Sequence, residues 1–281
     1  MSTQESTLPA PAPPPAPTEP DLRALYPGRD EWLYDVEDNT VWRPVSRDLG
    51  GGHRPTLRCK ADSCDFDACV KQPEGNSEAL RDKIAADLGI ILELPVAPCL
   101  LRRDAGGGVG MVAKIIGDLA LDLNKYQARM QTAYPGIDCR GRISALYPDE
   151  LFAFDVWIWN IDRHNGNVVH TGFYERADML YGIDHGHSFG CDGGATSQWA
   201  NTVPTIGDVQ FPNLLTRHFD RDRLIRCAKD IEGLDPKIVE YIAVRAAAVF
   251  GTDREEQTAR VIAGALTARQ GLIVQWAEAK Q

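Results

Sequence analysis

The sequence has no run of 18 apolar residues, no N-terminal basic and apolar leader, no close Cys-x-x-Cys pair and no excess of positive charge. Each absence removes a class of protein. Without an apolar run or a leader, neither membrane insertion nor export is expected, and the chain reads as cytoplasmic. Lys and Arg total 30 against 40 Asp and Glu, a formal net charge of -10 at pH 7. The field of the whole molecule therefore does not attract nucleic acid or an anionic membrane, and any phosphate site must be local. The cysteines number seven, an odd count that suits reduced thiols better than a disulfide framework. Cys59, Cys64 and Cys69 recur in "LRCKADSCDFDACVK" at a spacing too wide for paired zinc ligands. They read as half-buried hairpin cysteines, with Cys59 and Cys69 on strands flanking the turn "ADSCDFD".

What remains is ample for a globular core, since 43% of the 281 residues are hydrophobic. Residues 8–20, "LPAPAPPPAPTEP", favour extended polyproline conformations, so residues 1–24 are expected to form a disordered tail. From 25 to 116 short strand signals are broken by glycine and by one helix, "SEALRDKIAADLG". There Asn76 would cap the start, Leu80, Ile84 and Leu88 form the apolar face, and Gly89 would close the end. From 117 to 281 helical patterns dominate, with a hairpin-like interruption between Val168 and Phe189. "PDELFAFDVWIWN" is apolar on nearly every side and should be central, while Asp235 and Pro236 mark another helix start. The expected fold is α+β, a strand-rich N-terminal lobe joined to a helical C-terminal lobe.

The chemistry concentrates in "NIDRHNGN", residues 160–167, on the rim of the most apolar segment. Asp162 and Asn167 are five positions apart, the separation of the base aspartate and the magnesium-binding asparagine in a kinase catalytic loop. Beyond Asn167, "NVVH" and "MLYGID" read as two strands leading to Asp184. Magnesium takes hard oxygen ligands, and an amide oxygen from Asn167 with a carboxylate from Asp184 would suit it. Asp162 could orient an attacking hydroxyl and accept its proton, and Arg163 or His164 could balance charge near the phosphates. Upstream, Lys71 ends a strand and is the candidate for the nucleotide phosphates, with Glu78 on the following helix as its candidate partner. "DLGGGH" brings backbone amides at Gly51 and Gly52 that could approach phosphate. "GMVAKII", with Met111 and Ala113, occupies the position where a strand joining the lobes would carry adenine.

At this point a family resemblance becomes specific. "FDVWIWNIDRHNGNVVH" followed by "YGIDHGHSF" resembles the catalytic core of HipA-like kinases and the related phosphatidylinositol 3- and 4-kinases. "VKQPEGNSEALRDKIAADLGIILELPVAP" resembles the same family in its strand lysine, its Asn-x-Glu at a helix start, and its Leu-Gly and Pro-Val pairs. The resemblance covers roughly residues 60–190 and implies a two-lobed protein-kinase-like fold that binds ATP and Mg2+. It implies Asp162 as the catalytic aspartate, Asn167 and Asp184 as metal ligands, and Lys71 with Glu78 as the nucleotide-binding pair. "NID" stands where the protein-kinase pattern has His-Arg-Asp, "DHG" where it has Asp-Phe-Gly, and "IILE" appears inserted before "LPVAP". The chain is also shorter than a full HipA toxin, which implies that an N-terminal subdomain of that family is missing. The expected reaction is transfer of the γ-phosphoryl group of ATP to a hydroxyl, foremost Ser or Thr of a protein, alternatively a lipid or small molecule. An inactive kinase-like nucleotide-binding module is a further alternative.

Plainer readings stand beside these. Asn165-Gly166 alone could mark a type I′ hairpin. His164, His185 and His187, with Asp162 and Asp184, would permit a transition-metal phosphohydrolase. Asp155, a carboxylate inside the apolar helix, is expected to bond the loop backbone or Arg163, because an unpaired buried charge is costly.

Overall fold

The alternation in "TLRCK" and "ACVK" puts successive side chains on opposite faces of a strand. The computed structural model, which describes residues 19–46, 56–73, 77–115, 121–171, 179–190 and 219–280, realises this pattern. Strands β1 (Arg43–Ser46), β2 (Thr56–Lys60), β3 (Ala68–Lys71), β4 (Cys99–Arg103) and β5 (Val109–Lys114) form one antiparallel sheet in the order β1-β2-β3-β5-β4. One face, with Cys59, Ala68, Val70 and Val112, is covered by Trp42, Trp32 and Phe66. On the other, Cys99 and Met111 pack against Ala86 of helix α2 (Glu78–Ile91). The Cys59 and Cys69 strands flank a turn as their sequence suggests, and the six described cysteines are all free thiols.

Two sequence expectations are corrected in this half. Gly89 does not end its helix, which runs on to Ile91. A Cβ at Gly89 would lie 2.6 Å from Val96 Cγ2, so glycine serves close packing there rather than a cap. Residues 22–25 also form a helix, although 22–24 were expected in the tail. Asp21 accepts from the backbone N–H groups of Arg23 and Ala24, capping α1 (Leu22–Leu25), and Leu22 is buried. Residues 1–18, 47–55 and Asn76 lie outside the described residues.

The second half is helical, with α3 (Leu123–Ala133), α4 (Cys139–Leu146), α5 (Asp149–Trp157), α6 (Arg221–Glu232), α7 (Pro236–Ala248) and α8 (Asp253–Glu278). Every residue of α5 from Leu151 to Trp157 is buried, which explains its apolar character on all sides. Asp235 accepts from Lys237 N–H with Pro236 at the first position, so that helix starts where the sequence places it. Arg269 of α8 donates to the carbonyls of Val156 and Trp157 and closes the α5 C-terminus just before the loop of interest. A small sheet joins β6 (Leu121–Asp122), ahead of α3, to β7 (Val168–Thr171) and β8 (Met179–Gly182), which follow that loop.

The two halves share a core. Leu80, Ile84 and Leu88, the apolar stripe of α2, belong to the same buried cluster as α5, α6, α7 and α8. Gly182 of β8 exchanges backbone hydrogen bonds with Pro95 and Ala97 in the "LPVAP" segment, at 2.9 and 3.0 Å. Among the described residues no helix is long and apolar enough to cross a membrane.

Candidate active site

The loop after α5 is built on a buried arginine. Arg163 is fully buried, and its Nε and Nη2 bond both Asp155 oxygens at 2.8 and 3.0 Å. Its Nη1 donates to the carbonyls of Asn167 and of Ile183, the latter at 2.8 Å. Nη2 also meets His185 Nε2 at 2.8 Å. Guanidinium can only donate, so His185 accepts and its ring is neutral. Burial, then Arg163 and Lys71, push the His185 pKa well below its ordinary value. Asp155 also accepts from Asn160 Nδ2 at 3.0 Å. The buried carboxylate thus has the support role expected of it, and its partner is Arg163.

This network corrects two readings. Arg163, a candidate for balancing phosphate charge, instead lies beneath the loop with its donors consumed by protein acceptors. The Asn-Gly pair does not make a type I′ hairpin; residues Asn165–Asn167 form a single 3-10 turn. His164 caps that turn, its Nδ1 accepting from Gly166 N–H at 2.9 Å. Its Nε2 lies 3.8 Å from Asp162 Oδ1, and its side chain is about half exposed.

Above the network stand the acidic and amide groups of the loop. Asn167 Nδ2 donates to Asp162 carbonyl at 2.8 Å and to Asp162 Oδ2 at 3.1 Å. Both amide hydrogens are used, and only the nitrogen can face two acceptors, so the Asn167 oxygen is turned away from Asp162 and kept available as a ligand. Ile183 N–H donates to the Asn167 carbonyl at 3.1 Å, which brings Asp184 alongside the loop. Asp184 itself has a left-handed backbone, φ 55°, tolerated by aspartate better than by most residues and frequent where geometry serves function.

Lys71 reaches this point from β3. Its Nζ lies 2.7 Å from Asp184 Oδ1 and 3.8 Å from Asp82 Oδ2. The ionic partners of Lys71 are therefore Asp184 and Asp82, while Glu78, one helical turn earlier, has an oxygen 3.8 Å from His187 Nε2. Burial opposes the charge on Lys71, yet Asp82 and Asp184 outweigh it and raise its pKa. Burial likewise works against the Asp184 carboxylate, and Lys71 holds it below the usual range. Asp82 goes the other way: burial pushes its carboxyl up to about 6, against Lys71 and a hydrogen bond from His185 N–H. The sequence reading missed Asp82. Its signal was a row of charges, Asp82, Lys83 and Asp87, on the stretch from Asp82 to Ile91 that is otherwise apolar and is buried throughout, since buried charges need partners.

Met111 lies opposite Lys71 in the β3/β5 register and lines the same cavity with Glu78, Ala79, Asp82, Val109 and Phe250. Ala113 pairs with Cys69 two residues along the strand. Gly51 and Gly52 fall outside the described residues. The histidine reading does not find its ligand set: His185 is committed to Arg163 and His187 sits by Glu78. Among the described residues no group of three or more His, Cys, Asp or Glu converges as a metal site.

In fold, the chain is similar to the proinflammatory kinase CtkA of Helicobacter pylori, with 14% identity over 88% of this chain and 100% of that one and a TM-score of 0.58. Looser similarities are to WaaP in complex with acyl carrier protein (14% identity, 92% and 95% of the two chains, TM-score 0.36). The kinase domain of Mycobacterium tuberculosis PknI is similar at 14% identity, 80% and 94% coverage and TM-score 0.36. These two scores are too low to carry an argument. No protein-family model and no curated protein sequence matches the chain. The chain has the two-lobed protein-kinase-like fold, and the likeness at this identity shows the fold alone.

Proposed function

We propose that this chain is an ATP- and Mg2+-dependent phosphotransferase that moves the γ-phosphoryl group to a hydroxyl. The observation that carries the reading is convergence. Lys71 from the strand sheet and Asp184 from the helical half meet at 2.7 Å, and Ile183 N–H ties this strand end to Asn167, which in turn bonds Asp162. A cation and several oxygen donors drawn from distant parts of the chain are what a triphosphate with a hard metal requires. The Asn167 amide oxygen and the Asp184 carboxylate would hold Mg2+, whose contribution is to neutralise phosphate charge. Lys71, released from direct pairing with Asp184, would bind nucleotide phosphate while Asp82 keeps it charged and aimed. Asp162, about a third exposed and oriented by Asn167, would align the acceptor hydroxyl and take its proton. Arg163 and Asp155 hold the loop from below and do not touch the reactants.

The motifs "NSEALRDKIAADLG" and "NIDRHNGN" favour a HipA-like type within this fold. The acceptor proposed is Ser or Thr of a protein, with a lipid or small-molecule hydroxyl as the alternative. Incubation with γ-labelled ATP and Mg2+, alone and with cell extract, tests the reading. Label on the chain itself or on another protein supports it, and label in the lipid fraction selects the alternative acceptor. Nucleotide binding with no transfer would leave a binding module, and no binding at all would overturn the proposal.

A further inference from the structure

Helix α2 carries Asp82 on the side of Lys71 and, five residues on, Asp87. At 100° per residue the two side chains leave the helix about 140° apart, so Asp87 looks away from the cleft. Both are buried. Lys83, fully buried, spends its three donors on Asp87 at 2.8 Å and on the carbonyls of Trp32 and Asp35 at 2.9 and 2.8 Å. Arg245 of α7 donates to the other Asp87 oxygen at 2.9 Å and to the Leu33 carbonyl at 2.8 Å.

The chain just beyond Arg245 continues along the same helix. Val249 carbonyl accepts from Arg103 of β4, and Phe250 lines the cavity that holds Lys71, Ala79, Asp82 and Met111. Glu255 Oε1 accepts from Ser77 Oγ at 3.4 Å, where α2 begins without a side-chain cap of its own. Residues 245–255 thus meet α2 near its end, at the cavity wall and at its start. Helix α7 is thus packed directly on α2. A buried charge pair adds little net stability but can select one arrangement over others.

We infer that the 245–255 segment is a clasp that holds α2 where Asp82 meets Lys71, with Arg245 as a positioning residue. Its catalytic consequence rests on the phosphotransferase reading; its mechanical part does not. The test uses the full chain and compares wild type with Arg245→Ala by amide hydrogen exchange, followed by kcat and KM for Mg2+-ATP. Exchange across residues 78–91 should speed up about tenfold or more while α5, the reference, stays protected. Turnover efficiency should fall roughly ten- to hundredfold, the size expected when a reactive group is misplaced by about an ångström. In an Asp82→Asn background the Arg245 substitution should add little, because both act through one contact. Unchanged exchange over 78–91, unchanged kcat and KM despite faster exchange, or fully additive effects with Asp82→Asn would each overturn the clasp. If wild type neither binds nor turns over ATP, the phosphotransferase reading fails and the exchange result alone decides the clasp. If Arg245→Ala does not fold, Glu255→Ala at a partly exposed position carries the same test, with faster exchange expected over the first turn of α2; no change there would overturn it.

Discussion

Two charged clusters lie close together in this molecule and differ in one respect. The Arg163 cluster uses every donor of its guanidinium on protein acceptors and is wholly buried. The Lys71 cluster has two carboxylates around one ammonium, and Asp184 keeps 34% of its side-chain surface exposed. Each sets a basic side chain against aspartate, so charge alone does not tell them apart. Saturation does: a closed network holds a loop in place, whereas an open one has capacity left for a ligand.

The comparison breaks most visibly if the open cluster is dispensable. Asp184→Asn should abolish phosphoryl transfer and weaken Mg2+-dependent nucleotide binding. Asp162→Asn should lower transfer by about 10²–10⁴-fold while binding persists. Titration with a fluorescent nucleotide beside the labelled-ATP assay separates the two, and equal loss of binding in both would contradict the roles given to them.

The closed cluster should instead register as stability. Arg163→Met leaves the Asp155 carboxylate buried without its main partner, a loss of about 3–5 kcal/mol in a denaturant titration. Replacing both, Asp155→Leu with Arg163→Met, should cost less than the sum of the single changes. Additive losses would mean that the pair is not the unit described.

A smaller effect sharpens the same point through pH. The folded pKa of His185 is depressed, so below about 6.5 the unfolded chain takes up a proton that the folded chain does not. Its contribution is complete above that pH and is lost as pH falls, at up to about 1.4 kcal/mol per unit. Unfolding midpoints of wild type and His185→Gln between pH 7.5 and 5 should converge, and parallel curves would remove His185 from the network. The smallest change belongs to His164, which caps a turn at the surface. His164→Ala should cost about 1 kcal/mol and leave transfer within tenfold of wild type.

The sequence made much of this legible. The strand alternation, the Asp235-Pro236 helix start and the apolar α5 were all readable, because local periodicity and caps decide them. So was the grouping of Asp162, Asn167 and Asp184, because one short loop and one hairpin carry all three. Arg163 was harder: whether a loop arginine points to solvent or to the core depends on Asp155 eight positions back and on His185 beyond a hairpin. The partner of Lys71 was missed for a similar reason. Glu78 and Asp82 lie on one helical face, and only the angle at which α2 crosses the sheet decides which carboxylate comes within reach.

The shared core has a consequence for how the molecule can move. Because Leu80, Ile84 and Leu88 are seated among the helices of the C-terminal half, α2 cannot travel with the strands as one rigid cap. Leu101 and Val109 of the sheet sit in that core as well, so a swing of the whole N-terminal half would have to break it.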